Sequence, residues 1–175
     1  MSRLDEFILF VLDRAHKMGN KNLSSFQLFK LSYIIQVLSI KYAGKEFFSG
    51  LIFVRHKNGP ISVDIYHTIE ELKKKGFIGV ELSKKEDYAF ERHGHKLIKR
   101  LPKLSFQEGE IVFLDNFLSE LLPLSQKKLK ERAYSTEPMN EILKQERTGI
   151  KTGAVLDFST VVVDSDVVDS YADNL

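Results

Sequence analysis

Leu4, Phe7, Ile8, Val11, Leu12 and Ala15 recur at the 3.6-residue period of an α-helix before Gly19-Asn20 interrupts them. The same period returns in segment after segment, each burying one apolar stripe against another, and this commits the chain to a helix-rich core. Ser24-Ser25-Phe26-Gln27 reads as a capping box, opening a helix whose stripe Leu28, Leu31, Ile35, Leu38 and Tyr42 ends at Gly44. Ile61, Ile65, Ile69 and Leu72 predict a third helix, with Pro60 at its first position and Gly76 closing it behind three lysines. Further helices are expected over 92–101, halted by Pro102, and from the capping box Ser105-Phe106-Gln107-Glu108 through Ile111, Leu114, Leu118 and Leu121 to Pro123. Two shorter ones follow, from Ser125 to about Ala133 and from Glu137-Pro138 to about Gln145.

Strand signals are fewer. Phe47 to Val54 is aromatic and β-branched and runs into the turn Lys57-Asn58-Gly59-Pro60. Phe77 to Leu82 and Tyr88-Ala89-Phe90 flank the polar segment Ser83-Lys84-Lys85-Glu86-Asp87 as a hairpin. Val161-Val162-Val163 reads as a short strand, and Val167, Val168 and Tyr171 as a last helical turn capped by Ser165. The expected fold class is α+β: a mainly helical single domain with a small antiparallel sheet and a winged-helix-like order of elements. The domain is expected over residues 1–145, with 146–175 a loop and acidic C-terminal segment packing on it.

At 175 residues one sizeable core is the expectation, burying roughly 70% of the unfolded surface. Cysteine is absent, which excludes disulfides, thiolate metal sites and thiol nucleophiles and favours a reducing compartment. The N-terminus lacks the basic start of a secretory signal, and no apolar run nears the roughly 18 residues of a membrane span. A cytoplasmic location without membrane contact is therefore expected. The net charge of +2 is unevenly spread: residues 151–175 hold one Lys against five Asp, net −4, so residues 1–150 carry +6. A basic body suits an anionic partner or its own acidic tail, but solvated faces of mixed sign are the favoured explanation, since local excesses this small are common on globular surfaces.

No motif sets a nucleophile beside a base. Ser125-Gln126-Lys127-Lys128 and Lys151-Thr152-Gly153 match two fragments of the serine β-lactamase signature, but they stand too close for a domain to fold between them, and the Ser-Asp-Asn element is missing. His93-Gly94-His95 lacks a third ligand at a recognised spacing. The chain is expected to be non-catalytic, with no cofactor and no metal. Two binding readings remain. In one, residues 61–75 are the recognition helix and Ser83 to Asp87 the wing tip of a DNA-binding regulator, with Lys57, Lys73, Lys74, Lys75, Lys84, Lys85 and Arg92 on phosphates. Against it, about 16 residues separate the second helix from the third, where a helix-turn-helix uses about 3 to 4. The other is an interaction module, with self-association left open.

One stretch goes beyond generic features: Lys30-Leu31-Ser32-Tyr33, Ala43-Gly44-Lys45, Phe48, then Phe53-Val54-Arg55-His56-Lys57-Asn58-Gly59-Pro60-Ile61-Ser62, with Tyr66 on the following helix. It resembles the SocA-like antitoxin family, the Panacea domain, whose pattern pairs a Lys-Leu-x-Tyr helix with a short strand, Gly-Pro and a helix bearing Tyr. Glu70-Glu71-Leu72 to Gly76-Phe77-Ile78 is also similar to YwgA-like proteins. The resemblance covers about residues 1–80 well. Near Ser135 to Met139 the family usually has His and Pro-Trp, and this chain has neither His nor Trp there. The resemblance implies a non-catalytic protein that binds and neutralises a toxin. Arg55, His56, Lys57, Asn58 and Tyr66 are the expected partner-binding residues, the charged ones taken as solvated on a constrained turn. Gly59 and Pro60 are the structural turn, and Tyr33 and Tyr66 are read as core aromatics with a hydroxyl at the surface.

Overall fold

The computed structural model describes residues 1–19, 22–83, 92–146, 149 and 151–167. Helix α1, Arg3–Lys17, opens on a capping box between Ser2 and Asp5 and buries Phe7, Ile8, Phe10 and Val11 among its neighbours. Its polar residues are used for docking. Arg3 pairs with Glu110 and Arg14 with Asp115, both on a later helix, and buried Glu6 accepts from the Ser105 backbone N–H and hydroxyl.

Helix α2, Ser25–Ala43, is the axis of the molecule. The Ser24–Gln27 capping box is present and Gly44 closes the helix with φ +69°. Residues 30–39 are all buried, so this helix is enclosed on every side, and its polar members are satisfied internally. Gln36 accepts from the Phe48 N–H at 2.8 Å and donates to the Phe48 carbonyl at 3.2 Å, while the Ser39 hydroxyl donates to Lys45 O. These bonds fold the 45–48 loop against α2 and seat Phe47 and Phe48 edge-on to Phe7.

Strands β1, Val54–His56, and β2, Gly59–Ile61, form an antiparallel hairpin in the register Val54↔Ile61, Arg55↔Pro60 and His56↔Gly59. The expected strand over 47–54 thus lies further along, and the expected helix start at Pro60 is a strand residue. The cause is local: a two-residue turn at Lys57-Asn58 commits residues 59–61 to pairing with 54–56. Helix α3, Val63–Lys74, begins only after extended Ser62 and buries Ile65, Ile69 and Leu72. It ends as expected on Gly76, φ +70°, with Phe77 N–H bonded back to Leu72 O.

A second antiparallel pair, β3 Ile78–Ser83 and β4 Arg92–Leu97, aligns Ile78 with Leu97 and Val80 with His95. Residues 92–97, expected to be helical, form a strand instead, because each of them pairs with a residue of 78–83, Leu97 opposite buried Ile78. Gly94 fits because a Cβ there would lie 2.6 Å from Asn22 Cβ. The expected wing tip beyond Ser83 and the return strand at Tyr88-Ala89-Phe90 lie outside the described residues.

Helix α4, Glu108–Leu121, is capped by Gln107 and Glu110, two residues later than the sequence suggests, because Ser105 is engaged by Glu6. Helices α5, Gln126–Tyr134, and α6, Glu137–Gln145, follow as expected, with the Ser125 hydroxyl capping α5. Beyond them Leu156 and Val161 enter the core, and Phe158, in the 3-10 turn Phe158–Thr160, packs on Tyr33 and Phe53. The expected strand at Val161-Val162-Val163 is absent, Val162 and Val163 being exposed beyond that turn; Val168 and Tyr171 lie outside the described residues. The fold is a mainly helical α+β single domain with two small antiparallel sheets. Among the described residues no helix is long and apolar enough to cross a membrane.

Candidate functional site

The first hairpin is a sheet of three segments. On the edge of β1 opposite β2, Arg55 N–H donates to Ala154 O at 2.7 Å and Leu156 N–H to Phe53 O at 2.9 Å, bridging Val54 to Val155. Side chains alternate across such a sheet, and the two faces differ completely.

The inner face is a lock. Phe53 is buried, and Arg55, 3% exposed, sends Nε and Nη2 to the Glu146 carboxylate at 2.9 and 3.0 Å and Nη1 to the Tyr134 hydroxyl at 3.1 Å. Nη1 also donates to His56 O. The hydrogen bond from Arg55 holds the Glu146 carboxyl below its usual range. Arg55 is therefore an interior ion pair and not the solvated contact expected of it.

On the other side, β2 is an edge strand protected from further pairing. At Pro60, whose bonding groups face away from β1, there is no N–H, and its carbonyl accepts from Lys30 Nζ at 2.9 Å. Lys30 is fully buried, with Nζ 4.0 Å from the centre of the Phe26 ring. Burial, and then the like charges of Lys130 and Arg55, push its ammonium down to about 7. Gly59 has φ +104°, and a Cβ there would stand 2.8 Å from Lys30 Cε and 3.0 Å from the Tyr134 ring. One turn along α2, the Tyr33 hydroxyl is bonded to Thr136 Oγ1 at 2.6 Å, and the side chain is wholly inside rather than reaching the surface. Burial raises its pKa. The Lys-Leu-x-Tyr and Gly-Pro residues thus meet, fastening α2 to the hairpin and to the α5–α6 junction.

The outer face is open and aliphatic. Ile52, Val63 and Val155 are 58%, 59% and 61% exposed, and half-buried Val54 and Ile61 lie between them. His56, Lys57 and Asn58 form the hairpin end of this face. Tyr66, exposed at 53% and so not a core aromatic, stands one helical turn from Val63. Sequence reading missed the five aliphatic residues. The period-2 order Ile52-Phe53-Val54-Arg55-His56 carried the signal, but it was submerged in a longer apolar run.

The remaining candidates separate. His95 is buried, its Nε2 2.7 Å from Ser25 Oγ, and burial, then the charge of Lys73, lower it to about 4. His93 is exposed. Among the described residues no three His, Asp or Glu side chains are grouped to hold a metal ion. On α3, Lys73 is paired with Glu70 and Lys74 with Glu71.

Fold and site together define a helical α+β domain that presents an aliphatic sheet face beside a locked hairpin. The sequence pattern of the antitoxin SocA-like, Panacea domain family matches residues 28–138, more than half of the chain, and the chain belongs to that family. No curated protein and no solved structure matches it.

Proposed function

We propose that this chain is a non-catalytic antitoxin that binds a partner protein, a toxin, and neutralises it through the outer face of the β1–β2 sheet. The observation that carries the reading is the aliphatic row of exposed Ile52, Val63 and Val155 with half-buried Val54 and Ile61, in a member of an antitoxin-like family. His56, Lys57, Asn58 and Tyr66 rim that row and supply polar contacts, while Arg55 acts from beneath by fixing the hairpin. The interaction unit runs over residues 1–145, and 146–175 belongs to it as an accessory that adds the third sheet segment. A chain without cysteine suits work in the reducing cytoplasm. The DNA-binding alternative is less favoured, since the lysines of α3 are neutralised by its own glutamates.

The test is neutralisation in cells. A reading frame neighbouring this one should arrest growth when expressed alone, and co-expression of this chain should restore it. Val63→Asp, a change at an exposed position, should abolish the rescue while leaving the protein folded. Rescue undiminished by Val63→Asp together with Val155→Asp would exclude this face.

A further inference from the structure

The outer sheet face carries opposite charges at its two ends, and the register fixes which end is which. Lys57 lies in the turn, and Lys151, two residues before the Gly153 that bonds Arg55 O, lies at the same end. The acidic residues lie at the other end: Asp157 stands two residues beyond the Val155 that pairs with Val54, and Asp64 lies in the first turn of α3, three residues beyond the Ile61 that pairs with Val54. Asp157 caps the 3-10 turn and is extended, in line with the sheet. All four charged residues are exposed, and among the described residues the side chains of Lys57, Lys151 and Asp64 have no ion-pair partner.

We propose that a second copy of this chain closes this face in solution, about a two-fold axis that lies in the interface and runs across the strands. A two-fold contact must be self-complementary. An axis along the strands would put Lys57 over Lys57 and Asp64 over Asp64. Turned across the strands, it puts the basic end of each copy over the acidic end of the other and lays the two aliphatic rows together. From Ile52 to Lys57 the face is about 17 Å long, and three segments make it about 10 Å wide. That is well below the roughly 800 Å² per partner of a standard interface, so the dimer is concentration-dependent rather than obligate. Partner capture and self-association then compete for one surface, a consequence that rests on the function proposed above.

Sedimentation equilibrium of the full chain alone, from micromolar to near-millimolar concentration, tests the dimer without any toxin. The mass should rise from the 20.1 kDa of one chain towards twice that value. Val63→Asp should remove the rise. Lys57→Glu and Asp64→Lys, each reversing two symmetry-related contacts, should each weaken association about tenfold with an unchanged circular dichroism spectrum. An equimolar mixture of the two single variants should associate as the unaltered chain does, because each now opposes the other's reversed charge. A chain that stays monomeric throughout overturns the proposal, whatever it binds. So does a mixture that associates no better than its components.

Discussion

Replacing Lys30 by Met isolates the energetics of the hairpin lock. Lys30 ionises at about 10.5 in the unfolded chain and at about 7 in the folded one, where it is fully buried with one carbonyl acceptor. A lysine with a lowered folded pKa binds its proton more tightly when unfolded. Stability therefore rises with pH between about 7 and 10.5 and levels off below about 7, where the amine is protonated in both states. Linkage over that interval amounts to up to about 5 kcal/mol, of which about 2 kcal/mol accrues between pH 7 and 9. Met cannot titrate, and it leaves the Pro60 carbonyl without its donor, a pH-independent cost of about 1 to 3 kcal/mol. Urea unfolding of both proteins from pH 6 to 9 cancels every other titration in the difference. The unaltered chain should gain about 2 kcal/mol on Lys30→Met across pH 7 to 9. Parallel stability curves would refute the assignment of Lys30 as a buried, weakly compensated amine.

Arg55→Ala should destabilise by about 3 kcal/mol, seen as a lowered urea midpoint, because it strands the Glu146 carboxylate beside a near-closed interior. Gly59→Val should cost about 2 kcal/mol or more by the same measurement, through its φ of +104° and the contact with Lys30 Cε. Val63→Asp should leave the unfolding free energy from the same urea curves within about 0.5 kcal/mol of the original, its effect being confined to binding. His95 ionises at about 6.5 unfolded and about 4 folded, so it makes stability fall as the pH drops from 6.5 towards 4. His95→Gln should flatten that limb of the acid unfolding curve.

The helices were legible wherever a stripe and a cap agreed, as in α2 with Ser24 and Gln27 or α5 with Ser125. Where two local rules competed, long-range pairing decided. Gly-Pro before an apolar period is a sound helix start, yet pairing of Ile61 with Val54 claimed those residues for a strand. Residues 92–101 held too few apolar positions to separate period 3.6 from period 2, and the partner that decides, Ile78, lies far back in the chain. The Ser105 box failed for the same kind of reason, its hydroxyl being taken by Glu6 from α1. At the site, the turn was located correctly, but a charged residue on a turn was read as solvated. Nothing local to Arg55 announces that Tyr134 and Glu146, 79 and 91 residues away, fold over it.

The same geometry divides labour among the family-like residues. Lys30 holds the Pro60 carbonyl, Tyr33 holds Thr136, and Gly59 makes room for both Lys30 and Tyr134. None of these side chains lies on the open face. What they fix is the orientation of the hairpin, and a one-residue slip in its pairing would turn Phe53 and Arg55 outward and Ile52 and Val54 inward. A sequence pattern built from such residues specifies a platform and leaves the choice of partner to Ile52, Val63, Val155 and the charges at the two ends. Exchanging those exposed residues for the equivalents of a relative that recognises a different partner should then transfer recognition with little change in stability. If recognition instead follows residues 30–33 and 59–60, growth rescue will track the lock, and the division between platform and contact surface is wrong.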